Sequence, residues 1–173
     1  AACSGAEKIN NHALNVPDAN CRTYYEIFVR SFYDSDVDGI GDLNGITQKL
    51  HYLNEGDDKT DTDLGFNGIL LMPIMPSPTY HKYDVADYYA ADESLGGNQA
   101  LTAFVKQAHK LGLKVILDAV FNHCSDQNPL FQDVLANGAR SPYAKWFYLD
   151  SFPVSAEPCN YDTFAGAVPS MPR

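Results

Sequence analysis

The apolar residues form three short runs separated by two stretches of helical spacing. Tyr24-Tyr-Glu-Ile-Phe-Val-Arg30 is rich in β-formers and predicts a first strand. Ile46, Leu50 and Leu53 then recur at helical spacing, with Asn44 placed to cap the helix. Gly68-Ile-Leu-Leu-Met-Pro73 predicts a second strand, ended by proline. Leu101, Phe104, Val105, Ala108 and Leu111 predict a second amphipathic helix, with Gly112 as its stop. Lys114–Val120 predicts a third strand. Its run of Val115, Ile116, Leu117, Ala119 and Val120 is the pattern of a strand buried on both faces of a parallel sheet. Between these elements lie an acidic loop over Asp34–Asp42, a charged loop over Glu55–Asp63 and a long Pro- and Tyr-rich loop over Ile74–Glu93. Asn128–Leu135 predicts a short helix with Pro129 in its first turn. Residues 1–22 read as a tail or linker, and the chain from Asn137 onward as irregular.

Strand, helix, strand, helix, strand makes a βαβαβ unit with parallel strands, an α/β fold. An open doubly wound sheet and a (β/α)8 barrel both begin this way. No Gly-x-Gly-x-x-Gly follows any strand, which counts against a dinucleotide fold. A complete barrel takes about 250 residues. Under the barrel reading the 173 residues are therefore the N-terminal part of one, carrying its first three strands. The carboxyl ends of parallel strands are where ligands bind, and Asn122 and His123 stand at such an end. Asp118 lies inside the apolar run, where a carboxylate costs several kcal/mol unless a cation or donors pair with it.

A net charge of −10 with no basic stretch excludes nucleic acid as a partner, since phosphate contacts need clustered Lys and Arg. Acidity suits a soluble secreted protein or one that binds cations. No apolar run approaches the roughly 20 residues of a membrane span. Eleven Tyr fit sugar binding, because each offers an apolar ring face and a polar tip, although many must serve the core. The four cysteines, Cys3, Cys21, Cys124 and Cys159, show no C-x-x-C spacing, which counts against zinc. A disulfide involving Cys21, or one between Cys124 and Cys159, is left open by the sequence. Ala1-Ala-Cys-Ser-Gly5 resembles the end of a bacterial lipoprotein signal and makes Cys3 a candidate lipid anchor.

Two loops carry candidate chemistry. Asp34-Ser-Asp-Val-Asp-Gly-Ile-Gly-Asp42 sets acidic side chains at alternating positions before a Gly that allows a sharp turn. Several oxygens then face one centre, which is hard-cation chemistry and fits Ca2+ best. The expected ligands are Asp34, Asp36, Asp38, the backbone carbonyl of Ile40, and Asp42. The loop begins like an EF-hand and closes differently, since its twelfth position is Gly45. A solvated acidic turn is the alternative. In the second loop, which follows the second strand, His81, Tyr83 and Asp84 combine a donor, an aromatic platform and an acceptor. A pyranose ring wants that set, on the same rim as His123.

Asp34–Asp42, His81-Lys-Tyr-Asp84 and Asp118-Ala-Val-Phe-Asn-His123, in this order and spacing, resemble the α-amylase family of glycoside hydrolases, over most of the chain from Tyr24 onward. The part up to about Leu113 resembles bacterial extracellular α-amylases. The part from Gln127 resembles neopullulanases, maltogenic amylases and cyclomaltodextrinases. The resemblance implies a (β/α)8 barrel with a domain inserted after its third strand. The chain then divides into a tail (1–22), three β/α units (23–122) and the start of the insert (123–173). It implies that Tyr83 stacks under a sugar, that His81, His123 and Asp84 hold its hydroxyls, and that Asp118 is structural, pairing with an Arg of a later strand. Asn122 becomes a weak metal candidate. The implied activity is retaining hydrolysis of α-1,4 bonds in starch-like glucans and maltooligosaccharides. That chemistry needs two carboxyl groups about 5 Å apart. In the family both come from later barrel strands, and no Gly-x-Arg-x-Asp segment occurs here. The chain alone is thus expected to be inactive, completed by a second polypeptide or by missing sequence, and to work outside the cell, at its surface or in the periplasm. The rival readings are a non-catalytic glucan-binding protein on a degenerate barrel, and an α-glucosidase or transglycosylase of the same family.

Overall fold

A computed structural model describes residues 22–57, 62–166 and 168–173. The expected tail, with Cys3 and Cys21, lies outside the described residues, apart from Arg22. The chain divides into two units: Ala1–Ile74 with Glu93–Asp118, and Met75–Asp92 with Ala119–Arg173. The division differs from the expected boundary at residue 122 in two ways. The second unit starts at Ala119, and it takes in the long loop after the second strand.

The first unit is the predicted βαβαβ. Strands β1 (Tyr24–Ile27), β2 (Gly68–Leu71) and β3 (Lys114–Leu117) form one parallel sheet in the order β1-β2-β3. Tyr24 pairs with Gly68, and Gly68 with Lys114. Helices α1 (Leu43–Leu53) and α2 (Gly97–Lys110) lie between them in sequence and pack on each other. Leu43, Ile46, Leu50 and Leu53 fall on one face of α1 and are buried, as are Ala100, Phe104 and Ala108 of α2. With Ile27, Ile69 and Leu71 they make the core of this unit.

Several expectations need correction. The first strand stops at Ile27, because Val29–Ser31 turns into a 3-10 helix closed by Ser31 N–H donating to the Phe28 carbonyl at 3.0 Å. The cap of α1 is Asp42, not Asn44: the Asp42 carboxylate accepts the Gly45 N–H at 2.8 Å, and Asn44 sits inside the first turn. The third strand stops at Leu117 rather than Val120, and it is not buried on both faces. Ile116 and Leu117 are 41% and 39% exposed. The cause is position: among the described residues β3 pairs with β2 alone and forms the edge of the sheet. Asp118 therefore lies one residue past the strand, half-buried, its N–H held by the Leu71 carbonyl at 2.8 Å.

The second unit has its own core of Cys124, Phe131, Val134, Val154 and Tyr161. Helix α3 (Pro129–Asn137) forms as expected, with Pro129 in its first turn and the Asn128 side chain accepting the Leu130 N–H at 3.0 Å. The stretch expected to be irregular contains two short antiparallel strands, β4 (Thr163–Phe164) and β5 (Val168–Pro172). Cys124 and Cys159 are both free thiols, so no disulfide joins them. Cys124 packs in the core, where burial pushes its thiol up to about 12, while the exposed Cys159 donates to the Tyr161 carbonyl at 3.4 Å. No described helix is long and apolar enough to cross a membrane.

Candidate functional site

The acidic loop belongs to the first unit. Its carboxylates are organised by backbone amides. Asp34 accepts N–H groups from Asp36, Val37 and Gly39 at 3.1, 2.7 and 2.8 Å. The hydrogen bond from Gly39 is the main reason its carboxyl is held below the usual carboxylate value. Gly39 makes the sharp turn at φ 90°, as its place in the motif predicts. Oxygens of Asp34, Asp36 and Asp42 come within 4.8 Å of one another. Asp38 stands outside that group, its carboxylate taking the Ile40 N–H at 2.7 Å. Asp42 does two jobs at once, capping α1 and accepting from the Ser35 N–H at 2.8 Å and the Ser35 hydroxyl at 2.9 Å. Asp36 is pushed up, first by desolvation and then by the negative charge of Asp38. Oxygens bound to one Ca2+ at 2.3–2.6 Å lie at most about 5 Å apart. The three-carboxylate group therefore has the span and the hard-donor chemistry of a calcium site.

The second unit gathers the four residues expected to hold a sugar. The 75–92 loop supplies His81, Tyr83 and Asp84. The Tyr83 N–H donates to His81 Nδ1 at 3.1 Å, which places the imidazole proton on Nε2. The rings of His81 and Tyr83 lie 6.0 Å apart. Asp84 is only 2% exposed, and the hydroxyls of Ser77 (2.6 Å) and Thr79 both donate to its Oδ1. The Thr79 hydroxyl oxygen also lies 3.2 Å from His81 Nδ1, so the histidine and the carboxylate share one polar neighbour. His123 comes from the segment after Ala119. The Asn122 side-chain amide lies 3.2 Å from its Nδ1; donating there, it leaves the proton on Nε2. That Nε2 is buried and short of a full hydrogen bond, with the Tyr83 carbonyl as the acceptor that approaches it. Burial holds His123 below its ordinary value, while the Tyr83 carbonyl and the Asp84 charge pull the other way. Those two influences also place His123 beside Tyr83 and Asp84.

The assembled set is two imidazole Nε2–H donors, one buried carboxylate and one phenol ring. Donors and an acceptor beside an aromatic face suit a polyhydroxylated ring. Asn122 is exposed and shares with His123 a cavity of about 860 Å³, walled largely by Tyr88, Tyr89, Phe121, Trp146, Phe147 and Tyr148.

Several supporting groups have no motif in the sequence. Ser77 and Thr79 anchor Asp84. Lys82, between the two ring-bearing residues, takes φ 61° and buries its ammonium against Asp92 at 2.5 Å. The Tyr88 hydroxyl donates to the carbonyls of Val120 (2.6 Å) and His123 (2.7 Å). A lysine and a tyrosine in a polar loop read as solvated, and only the positions of their partners reveal otherwise. Asp87 is a loop residue, its carboxylate accepting the Tyr89 N–H at 2.8 Å.

Residues 26–168 match the alpha amylase catalytic-domain model. The chain is 49% identical over 134 residues to a cyclomaltodextrinase of Geobacillus thermopakistaniensis, covering 77% of this chain and 21% of that protein. It is 46% identical to neopullulanase 2 of Thermoactinomyces vulgaris over 77% of this chain and 22% of that one. A Bacillus subtilis relative at 45% identity is named an intracellular maltogenic amylase. The crystal structure of an alpha-amylase from H. orenii superposes with a TM-score of 0.79 at 42% identity, over 87% of this chain and 33% of that one. The chain spans about a fifth of the length of these curated relatives. Its three parallel strands and alternating helices are part of the barrel those structural relatives carry, and the chain belongs to the alpha-amylase catalytic-domain family.

Proposed function

We propose that this chain supplies the sugar-holding wall of a retaining α-glucan hydrolase that cleaves α-1,4-glucosidic bonds in starch-like polysaccharides and maltooligosaccharides. The observation that carries the reading is the gathering of His81, Tyr83, Asp84 and His123, with the His123 Nε2–H buried and short of a full hydrogen bond, approached by the Tyr83 carbonyl. Tyr83 offers a ring face to the C–H side of a glucose unit. His81 and His123 donate to its hydroxyls, and Asp84 accepts from others through the oxygen that Ser77 and Thr79 leave unengaged. The relatives named cyclomaltodextrinase, neopullulanase and maltogenic amylase support the substrate class. The nucleophile and the acid/base belong to later strands, so this chain binds and orients the sugar while carboxylates outside it do the bond breaking.

Calcium forms part of the reading. Asp34, Asp36 and Asp42 would hold the ion, with Asp38 and the Ile40 carbonyl closing the loop. Bound there, Ca2+ would supply charge neutralisation and hold the acidic turn in one shape. Asn122 is a second, weaker candidate ligand, and Asp118 is assigned a structural ion pair with an Arg of a later strand.

The test uses the full-length gene product. Tyr83→Ala and His123→Ala are each expected to weaken maltoheptaose binding about tenfold or more, with the melting temperature little changed. Unchanged binding and hydrolysis in both variants would remove the glucan assignment. Calcium titration after chelator treatment is expected to raise the melting temperature, and Asp36→Asn to blunt that rise. A flat response overturns the calcium assignment and leaves the glucan reading standing.

A further inference from the structure

The His123 ring packs against Phe164, centroids 4.8 Å apart, and its aim is set further by the backbone that carries it. Its Nδ1 meets the neighbouring Asn122 amide, and its Nε2 makes no full hydrogen bond, with the Tyr83 carbonyl approaching it. The backbone after it is held by the Cys124 N–H donating to the Pro172 carbonyl at 3.1 Å, and the backbone leading to it is gripped by Tyr88. The Tyr88 hydroxyl shares its proton between the carbonyls of Val120, at 2.6 Å, and of His123 itself, at 2.7 Å. The Tyr88 ring also stacks on Phe121, centroids 6.5 Å apart and planes 24° from parallel. One side chain thus holds both ends of the 120–123 turn by its hydroxyl and the middle by its face. Burial, helped by the neighbouring Cys124, pushes the phenol up to about 12, so it stays a donor at any physiological pH.

We propose that Tyr88 is a positioning residue for sugar binding: its shared hydroxyl bond fixes the 120–123 turn and so aims the His123 Nε2–H at the bound glucose unit. The inference rests on the reading of His123 as a sugar donor. Tyr88 acts through His123. A phenol is suited to the task because its rigid ring carries the donor across the turn with few rotatable bonds, and because two backbone carbonyls need a donor there.

The experiment is a double-mutant cycle in the full-length gene product, read as maltoheptaose affinity, KM and kcat, with melting temperature alongside. Tyr88→Phe keeps the ring and its stack and removes only the hydroxyl. It is expected to weaken binding and raise KM about tenfold. In the His123→Ala background the same change is expected to cost nothing further, because the side chain it aims is gone. A purely structural role would instead give the same loss in both backgrounds. Either that result or parent-like affinity of Tyr88→Phe overturns the proposal. Should Tyr88→Phe fail to fold, 4-fluorophenylalanine at position 88, which fills the place of the hydroxyl without a donor, goes through the same cycle, and the same two outcomes decide. If His123→Ala itself binds maltoheptaose like the parent, the sugar assignment of His123 has failed and the proposal falls with it.

Discussion

Burial holds the His123 imidazole below the ordinary 6.5, so the fold carries it neutral. The unfolded chain takes up a proton near 6.5 and the folded chain only at lower pH. Between those values the unfolded state binds more protons, so stability falls as pH drops through the window and is fully present above it. A melting series from pH 7.5 downward is expected to show this slope, and His123→Gln to flatten it. Lys82 and Asp92 make the opposite kind of buried pair, charged on both sides, with side chains 9% and 16% exposed. Lys82→Met leaves a carboxylate with little water around it and is expected to cost about 3–5 kcal/mol by denaturant titration. Replacing Asp92 as well, by Leu, is expected to recover part of that loss, the part that comes from breaking the ion pair on one side only. At this scale the sequence was legible where residues carry chemistry in a compact pattern: His81, Tyr83 and Asp84 are near neighbours, and Asn122-His123 is a dipeptide. It was silent on Tyr88 and Lys82. Their partners lie up to 35 residues away, and no local spacing encodes them.

Elements answer to different forces. The hydrophobic period gave α1 and α2 their faces, but the start of α1 depended on which of two polar residues reaches the amide three positions on. Asp42 reaches Gly45, and the acidic loop is thereby coupled to the helix it precedes. Gly45 shows how tightly that junction closes. A Cβ there would lie 2.0 Å from the Tyr33 carbonyl oxygen, which is backbone and cannot swing away. Helix propensity favours Gly→Ala by about 1 kcal/mol, yet this contact reverses the sign. Gly45→Ala is expected to destabilise by about 1–3 kcal/mol, measured by equilibrium unfolding. A stabilised variant would mean that Tyr33 and α1 part more easily than the packing indicates. The pair β4–β5 escaped the sequence reading because Val168–Pro172 contains two prolines and no alternation. Its place is fixed from elsewhere, by the Cys124 and Asp126 N–H groups donating to the carbonyls of Pro172 and Ser170 at 3.1 and 2.9 Å. The end of the third strand failed for a related reason. An apolar run states what a strand can bury against, and β3 has a neighbour on one side only among the described residues.

That open side bears on the whole molecule. Ile116 and Leu117 sit on an edge strand with two-fifths of their surface in water, and an apolar edge is a template for pairing with another strand. The 173 residues produced by themselves are therefore expected to associate as concentration rises, in sedimentation velocity, and Ile116→Lys to suppress it by placing a charge on that edge. In the proposed function, this polypeptide separates binding from bond breaking. It holds the proposed donors, acceptor and ring for one glucose unit, while a retaining hydrolase also needs two carboxyl groups about 5 Å apart across the bond, which the family draws from later strands. Maltoheptaose is thus expected to bind the isolated chain weakly, and incubation to release no new reducing ends. Binding should weaken further in Tyr83→Ala, showing that the contact is the proposed one. Hydrolysis by the isolated chain, abolished by a substitution within it, would place the reacting carboxylates among these 173 residues and overturn the division between holding the sugar and cutting it.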